Sequence, residues 1–261
     1  MTNLIIGNTA QLNYYFPKEY DRISSRSIDY SIFKKNKYDV AFLLFAEQRT
    51  FLNQNEKFFV DVNFNYTLNV IDKIKNYCNK IIIYSTSELW NDYDGKISIT
   101  IPFKYNYTPY IKSKELLSIH INENKNKYEN IHIIYPFNFN SPYRKNGFLF
   151  SKIFDTIINK NKNSIGDLNF YRDLIHPSVI VKESINTNND LLIGSGSLIN
   201  VKNFIDDLFI LNNMKSEDYL QINEINNLKN KRKNYYSENS YSNYKELLKL
   251  TNYDIQKNTI S

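Results

Sequence analysis

The sequence predicts an α/β fold built on a parallel sheet covered on both faces. Three observations carry that reading. Short apolar runs recur through the first 140 residues: Leu4-Ile5-Ile6, Tyr38 to Phe45, Ile81-Ile82-Ile83-Tyr84 and Ile131 to Tyr135. Such runs are too short for helices and too uniformly apolar for strands with one wet face, which is how strands buried on both faces read. The stretches between them are polar or helically spaced, so strands alternate with helices. Gly7 follows the first run directly, where a parallel strand turns toward its crossover.

Composition bounds the function. The 261 residues suffice for one large domain or two closely packed ones. With 42% hydrophobic and 23% charged residues the chain forms a packed core and is not globally disordered. The net charge of +6 comes from scattered Lys, and the densest basic run, Lys229 to Lys233, is short and late. That is not the concentrated stripe of a nucleic-acid-binding protein. A basic chain suits an anionic small substrate such as a nucleotide diphosphate. The single cysteine, Cys78, precludes an internal disulfide and fits a reducing cytoplasm. The three His lack Cys neighbours and metal-ligand spacing. No apolar run approaches a membrane span, and the first residues lack a basic, then apolar, leader. The expectation is a soluble, cytoplasmic protein without a membrane partner.

The elements follow in order. Gly7-Asn8-Thr9-Ala10-Gln11-Leu12-Asn13 stands in the register of a Gly-x-x-Gly-x-x-Gly loop. In such loops the first glycine makes the turn, the second admits pyrophosphate and the third packs helix on strand. Here Ala10 and Asn13 replace the second and third. Pro17 forces the following helix to be short. Ile23 to Arg26 reads as the second strand and its end. An acid there would hold the ribose diol of NAD; Ser24, Ser25 and Arg26 suit a 2′-phosphate instead, and Asp29 lies close enough to meet adenine or ribose. Tyr38 to Ala46 is the next buried strand. Val62 to Ile71 is a helix. The strand at 81–84 runs into Ser85-Thr86-Ser87-Glu88, a hydroxyl cluster beside a carboxylate.

Tyr110 and Lys114 lie one helical turn apart on one face. A nearby ammonium favours the phenolate and lowers a phenol's pKa. With Thr86 holding a substrate oxygen, this is a general acid/base device for moving a proton on and off that oxygen. The C-terminal part adds an amphipathic helix from Gly147 to Lys160, the motif Tyr171-Arg172-Asp173-Leu174-Ile175-His176, a strand at 191–194, and helices over 201–210 and from Tyr244.

Taken in this order, these motifs resemble the extended short-chain dehydrogenase/reductases, the epimerase/dehydratase family of nucleotide-sugar enzymes. The Gly7 loop is similar to that of dTDP-4-dehydrorhamnose reductases. Tyr38 to Ala46 resembles the family's DVVIHLAA segment, and 62–71 its NVxGTLNLL helix, with Asn63 as the structural or proton-relay asparagine. Ser85 to Trp90 resembles STDEVYG and STDYVF. Pro136 to Pro142 resembles RxxNVYGP, keeping Asn138 and Pro142 but not the Arg and Gly. Residues 171–176 resemble RDFIHVDD, and 191–196 resemble YNIGSG.

The resemblance implies a Rossmann-type doubly wound parallel sheet over residues 1–140 and a small, mainly substrate-binding region over 141–261. It implies that Thr86, Tyr110 and Lys114 are catalytic. Gly7, Thr9, Ala10, Gln11, Leu12, Ser25, Arg26, Asp29, Phe45, Ala46 and Lys114 would bind cofactor, NADP (as NADPH) before NAD. Ser87, Glu88, Asn138 and Arg172 would bind a nucleotide-diphosphate sugar, with Arg172 paired to the diphosphate or to Asp173. Dehydratases carry an Asp at the position of Ser87, so loss of water has no evident acid here. The expected activity is reduction of a keto group on a nucleotide-linked deoxysugar, in surface-polysaccharide sugar biosynthesis. The alternatives are an epimerase with tightly bound NAD(P), and a non-catalytic member serving as a subunit. A homodimer through helices near 63–76 and 107–125 is expected by analogy.

Overall fold

The computed structural model describes residues 2–52, 54–144, 147–223 and 233–259. Most of the basic run 229–233 lies outside them. Six parallel-sheet strands are β1 (Asn3–Ile6), β2 (Asp21–Ile23), β3 (Tyr38–Leu43), β4 (Cys78–Tyr84), β5 (Ile131–Pro136) and β6 (Leu191–Ile193). Their order across the sheet is β6-β5-β4-β3-β1-β2. The β1–β2, β1–β3, β3–β4 and β4–β5 pairs are all parallel. The order reverses between β1 and β3, and ligands of such sheets bind outside the carboxyl ends of the strands at that reversal. The fold is therefore the doubly wound α/β sheet that the apolar runs predict.

The chain divides into two compact units. The first comprises residues 1–90, 102–136 and 181–192, the second 91–101, 137–180 and 193–261. The sequence reading draws one boundary at residue 140; the chain instead crosses several times. Residues 181–192 return to the first unit, where Leu191–Ile193 joins the sheet and Lys80 donates to the Ile185 and Thr187 carbonyls at 3.3 and 2.6 Å.

The first unit's core is the sheet itself. Leu4, Ile5, Ile6, Ala41, Phe42, Ile81, Ile82, Ile131, Ile133 and Ile134 are fully buried. Helices α1 (Ser31–Lys35), α2 (Glu56–Val60), α3 (Thr67–Ile74) and α4 (Pro109–Glu123) belong to it. Between α2 and α3 the helix widens into a π-helical segment, Asp61–Tyr66. Cys78 is buried, and burial pushes its thiol up to about 12.

The second unit holds α5 (Leu149–Asn159), α7 (Val201–Leu211), the short α8 (Ser216–Tyr219) and α9 (Tyr244–Thr259), while α6 (Pro177–Asn186) begins in it. Its core joins Phe150, Ile153, Phe154, Ile157, Phe204, Leu208, Leu247 and Ile255. Two pairs of three-residue strands, 95–97 with 235–237 and 163–165 with 220–222, were not expected from the sequence. Buried His176 bridges Ser178 Oγ at 2.7 Å and Asp254 Oδ2 at 3.1 Å, which fastens α9. Among the described residues no helix is long and apolar enough to cross a membrane.

Candidate active site

Helix α4 places the Tyr-x-x-x-Lys pair. Thr108 caps it, its Oγ1 accepting from Ile111 N at 3.1 Å, and Pro109 opens the first turn, where no intrahelical N–H is lost. Tyr110, Ser113, Lys114 and Ser118 then fall at i, i+3, i+4 and i+8, one face of the helix. Ser118 Oγ meets Ser85 Oγ at 3.0 Å. Lys114 Nζ donates to the Tyr84 carbonyl at 2.7 Å. Lys114 is only 4% exposed, and burial pushes its ammonium down to about 8.

Asn63 ties this helix to the end of β3. Its Oδ1 accepts from Glu47 N at 2.7 Å, and its Nδ2 donates to Glu47 O at 2.8 Å and Ser113 Oγ at 3.0 Å. Ser113 Oγ donates in turn to Tyr110 O at 2.7 Å. Asn63 sits in the π-helical segment, a local feature frequent at functional sites. The expected asparagine is therefore buried and fully engaged in structure. Ser113 and Ser118 were missed, although their spacing from Tyr110 was the available signal.

At the end of β4, Ser85, Thr86 and Ser87 are all buried. Thr86 Oγ1 accepts from Glu88 N at 3.2 Å, which leaves its O–H proton as a donor. Glu88 is half-buried in the short helix Ser87–Trp90. Trp90 anchors that helix edge-on against Phe103 and Tyr135, at 5.0 and 5.3 Å between ring centres.

The nucleotide loop follows β1. Gly7 has φ +112°, and its amide donates to Ile23 O at 3.0 Å. A Cβ there would lie 3.1 Å from Phe45 N and 3.3 Å from the Leu44 carbonyl carbon, so the turn is closed to other residues. Asn8 and Thr9 are exposed, Ala10 and Gln11 half-buried, Leu12 buried. Only the 3-10 turn Gln11–Tyr15 follows, in keeping with Pro17. Phe45 packs edge-on against Tyr66 at 5.5 Å between ring centres, and Ala46 is half-buried beside it in the chain.

At the end of β2, the Ser25 carbonyl accepts from the Tyr66 hydroxyl. Arg26 is exposed, and its guanidinium has no partner among the described residues. Asp29 stands just before α1. Its two oxygens accept from Ser31 N and Ser31 Oγ, both at 2.9 Å, closing the turn into α1, and those bonds hold its carboxyl below the usual range.

Asn138 and Arg172 belong to the second unit. Asn138 pairs in register with Leu174. Arg172 donates to Tyr171 O at 2.6 Å and stacks on Phe170, 4.8 Å from the ring centre. Asp173 is the buried hub of its unit rather than the arginine's anchor. Its oxygens accept from Ser195 N (2.6 Å), Ser195 Oγ (2.8 Å), Gly196 N (3.2 Å) and Ser237 N (2.9 Å). A Cβ on Gly194 would collide with that carboxylate. Burial raises the Asp173 pKa against these four donors.

A family model described as GDP-mannose 4,6 dehydratase matches residues 48–257. The chain belongs to this family. Among solved structures it is similar to dTDP-glucose 4,6-dehydratase from Bacillus anthracis str. Ames in complex with NAD, with 14% identity, 99% of this chain and 97% of that one covered, and a TM-score of 0.75. It is similar to UDP-N-acetylglucosamine 4-epimerase from Methanobrevibacter ruminantium M1, with 14% identity, 98% of each chain and a TM-score of 0.79. It is also similar to RMD from Pseudomonas aeruginosa complexed with NADPH, with 12% identity, 100% of each chain and a TM-score of 0.74. No curated protein matches it by sequence. At these identities the structures speak for the fold; the family match makes this a nucleotide-sugar dehydratase/epimerase relative of the nicotinamide-dependent enzymes.

The residues present fit a nicotinamide dinucleotide in part. The closed Gly7 turn and the buried Lys114 stand at the carboxyl ends of β1 and β4, and Arg26 is open beyond β2. Between them, where a dinucleotide fold sets the N-terminus of a full helix against the diphosphate, this chain has one 3-10 turn.

Proposed function

We propose that this protein reduces a keto group on a nucleotide-linked deoxysugar, with NADPH as an exchangeable co-substrate. When bound, the reduced nicotinamide supplies the hydride. Tyr110 gives the proton to the resulting alkoxide oxygen, and Thr86 hydrogen-bonds that oxygen through its free O–H. Lys114 holds the nicotinamide ribose and, as a cation one turn away, favours the Tyr110 phenolate that remains after transfer. The first unit binds the cofactor.

One observation carries the choice of reductase over epimerase. Lys114 is held by the Tyr84 carbonyl, whereas the turn that would clasp the diphosphate is reduced to Gln11–Tyr15. A helix N-terminus typically favours an anion by about 0.3–1 kcal/mol, up to ~2 in partly buried geometries. A cofactor lacking that hold exchanges, which a net reduction requires and a retained-cofactor epimerisation does not. Ser87, buried where a dehydratase places an acid, supports the same reading. Arg26, open beyond β2 while Asp29 is engaged with Ser31, supports NADPH. The enzyme would work in the cytoplasm as a homodimer, in polysaccharide sugar biosynthesis.

The test is the state of protein purified without added cofactor. Empty protein that oxidises NADPH with a nucleotide-linked keto-deoxysugar, and releases no water from an unmodified nucleotide-hexose, supports the reading. Stoichiometric NAD surviving purification with interconversion of epimers, or formation of a 4-keto-6-deoxy product from the hexose, overturns it.

A further inference from the structure

One side chain, Arg22, gathers much of the segment that follows β1. Arg22, on β2, has five N–H hydrogens. They meet five acceptors: Asn13 Oδ1 (2.9 Å), Lys18 O (3.0 Å), Tyr20 O (2.6 Å), Phe16 O (3.3 Å) and Pro17 O (2.7 Å). Four of the five are carbonyls of a segment too short and too proline-bound for a helix, and one of them, Pro17 O, also accepts from Tyr20 N at 3.3 Å. Asn13, in the place of the third loop glycine, relays the hold. Its Oδ1 faces Arg22, and its Nδ2 donates to the Asn8 carbonyl at 2.8 Å.

That last bond bears on the loop's chemistry. The peptide joining Asn8 to Thr9 is planar and trans, so its C=O and N–H point in opposite directions. Fixing the Asn8 carbonyl fixes the Thr9 amide. The Thr9 amide donates to no backbone or side chain among the described residues, and Thr9 is exposed.

We propose that the Arg22–Asn13 pair is a positioning device for the cofactor site: through the Asn8 carbonyl it aims the Thr9 N–H at the dinucleotide's diphosphate. The device does by side chains what the missing helix does by its backbone. It supplies direction but not a helix dipole, which agrees with an exchangeable cofactor. The proposal rests on the reading of 7–13 as a cofactor loop. It also gives Asn13 a purpose that its departure from the glycine pattern conceals.

Asn13→Asp separates positioning from structure. The carboxylate still accepts from Arg22 but no longer donates to the Asn8 carbonyl. NADPH affinity, measured by calorimetry without sugar substrate, should fall about tenfold in Asn13→Asp and Asn13→Ala, the scale of one hydrogen bond to a charged group. The melting temperature of Asn13→Asp should stay at the wild-type value. Unchanged NADPH affinity in a folded Asn13→Asp overturns the positioning role while leaving the cofactor reading intact. Equal losses of affinity and melting temperature also overturn it, since structure alone then explains both. A wild-type protein that binds neither NADPH nor NADH overturns the cofactor reading together with the proposal.

Discussion

Lys114 Nζ donates to the Tyr84 carbonyl over 2.7 Å, tying α4 to the last residue of β4. The bond holds a buried ammonium at the strand end where Thr86 follows, and burial pushes its pKa from 10.5 to about 8. The unfolded chain therefore holds more protons than the folded one between about pH 8 and 10.5. Stability from this group rises with pH across that window, and below it the folded state bears the full cost of the buried charge. The scale is about 1.4 kcal/mol per pK unit. Denaturant titrations at pH 7.5 and 9.5 should show this increment in the wild type and lose it in Lys114→Met. The same pH increment in both proteins would remove Lys114 as its source.

Asn63 makes three hydrogen bonds while 1% exposed, two to the Glu47 backbone and one to Ser113. Asn63→Ala leaves buried groups unpaired, at about 1–3 kcal/mol each. We expect a loss of about 2–4 kcal/mol in urea unfolding and faster hydrogen exchange at the Glu47 amide. A loss below about 1 kcal/mol would mean that water replaces these bonds.

Arg26 is the candidate for the 2′-phosphate. Arg26→Ala should weaken NADPH roughly tenfold to a hundredfold, about 1.5–3 kcal/mol, and leave NADH unchanged. Equal affinities for the two cofactors in the wild type would sink the assignment. Competition titrations with both measure it.

Much of the fold is legible because burial on two faces leaves a plain mark. Ile81-Ile82-Ile83 and Leu4-Ile5-Ile6 have no polar alternation, and both became inner strands. Pro17 marks the shortened crossover, and the amphipathic spacing of 149–158 marks α5. The Tyr110–Lys114 face is legible from helical spacing alone. What holds those elements is not. Arg22 reaches carbonyls two to six residues away, and carbonyls carry no sequence identity. Asp173 binds backbone amides of Ser195, Gly196 and Ser237, so its role waits on the tertiary fold. The paired strands at 95–97 and 235–237 are three residues each, too short to show alternation. The motif offered Arg172 to the diphosphate or to Asp173, and Asp173 is instead engaged by Ser195, Gly196 and Ser237.

The central claim is that Tyr110 donates the proton. An alkyl hydroxyl such as Thr86 is a far weaker acid than a phenol, and Tyr110 lies one helical turn from Lys114. Tyr110→Phe keeps the ring and its packing and removes the acid. The measurement is single-turnover reduction of a nucleotide-linked keto-deoxysugar by NADPH-loaded protein, with NADPH affinity determined in parallel. The account predicts that affinity stays within about twofold while the rate falls roughly 10²–10⁴-fold. A Tyr110→Phe protein that turns over at the wild-type rate would contradict it.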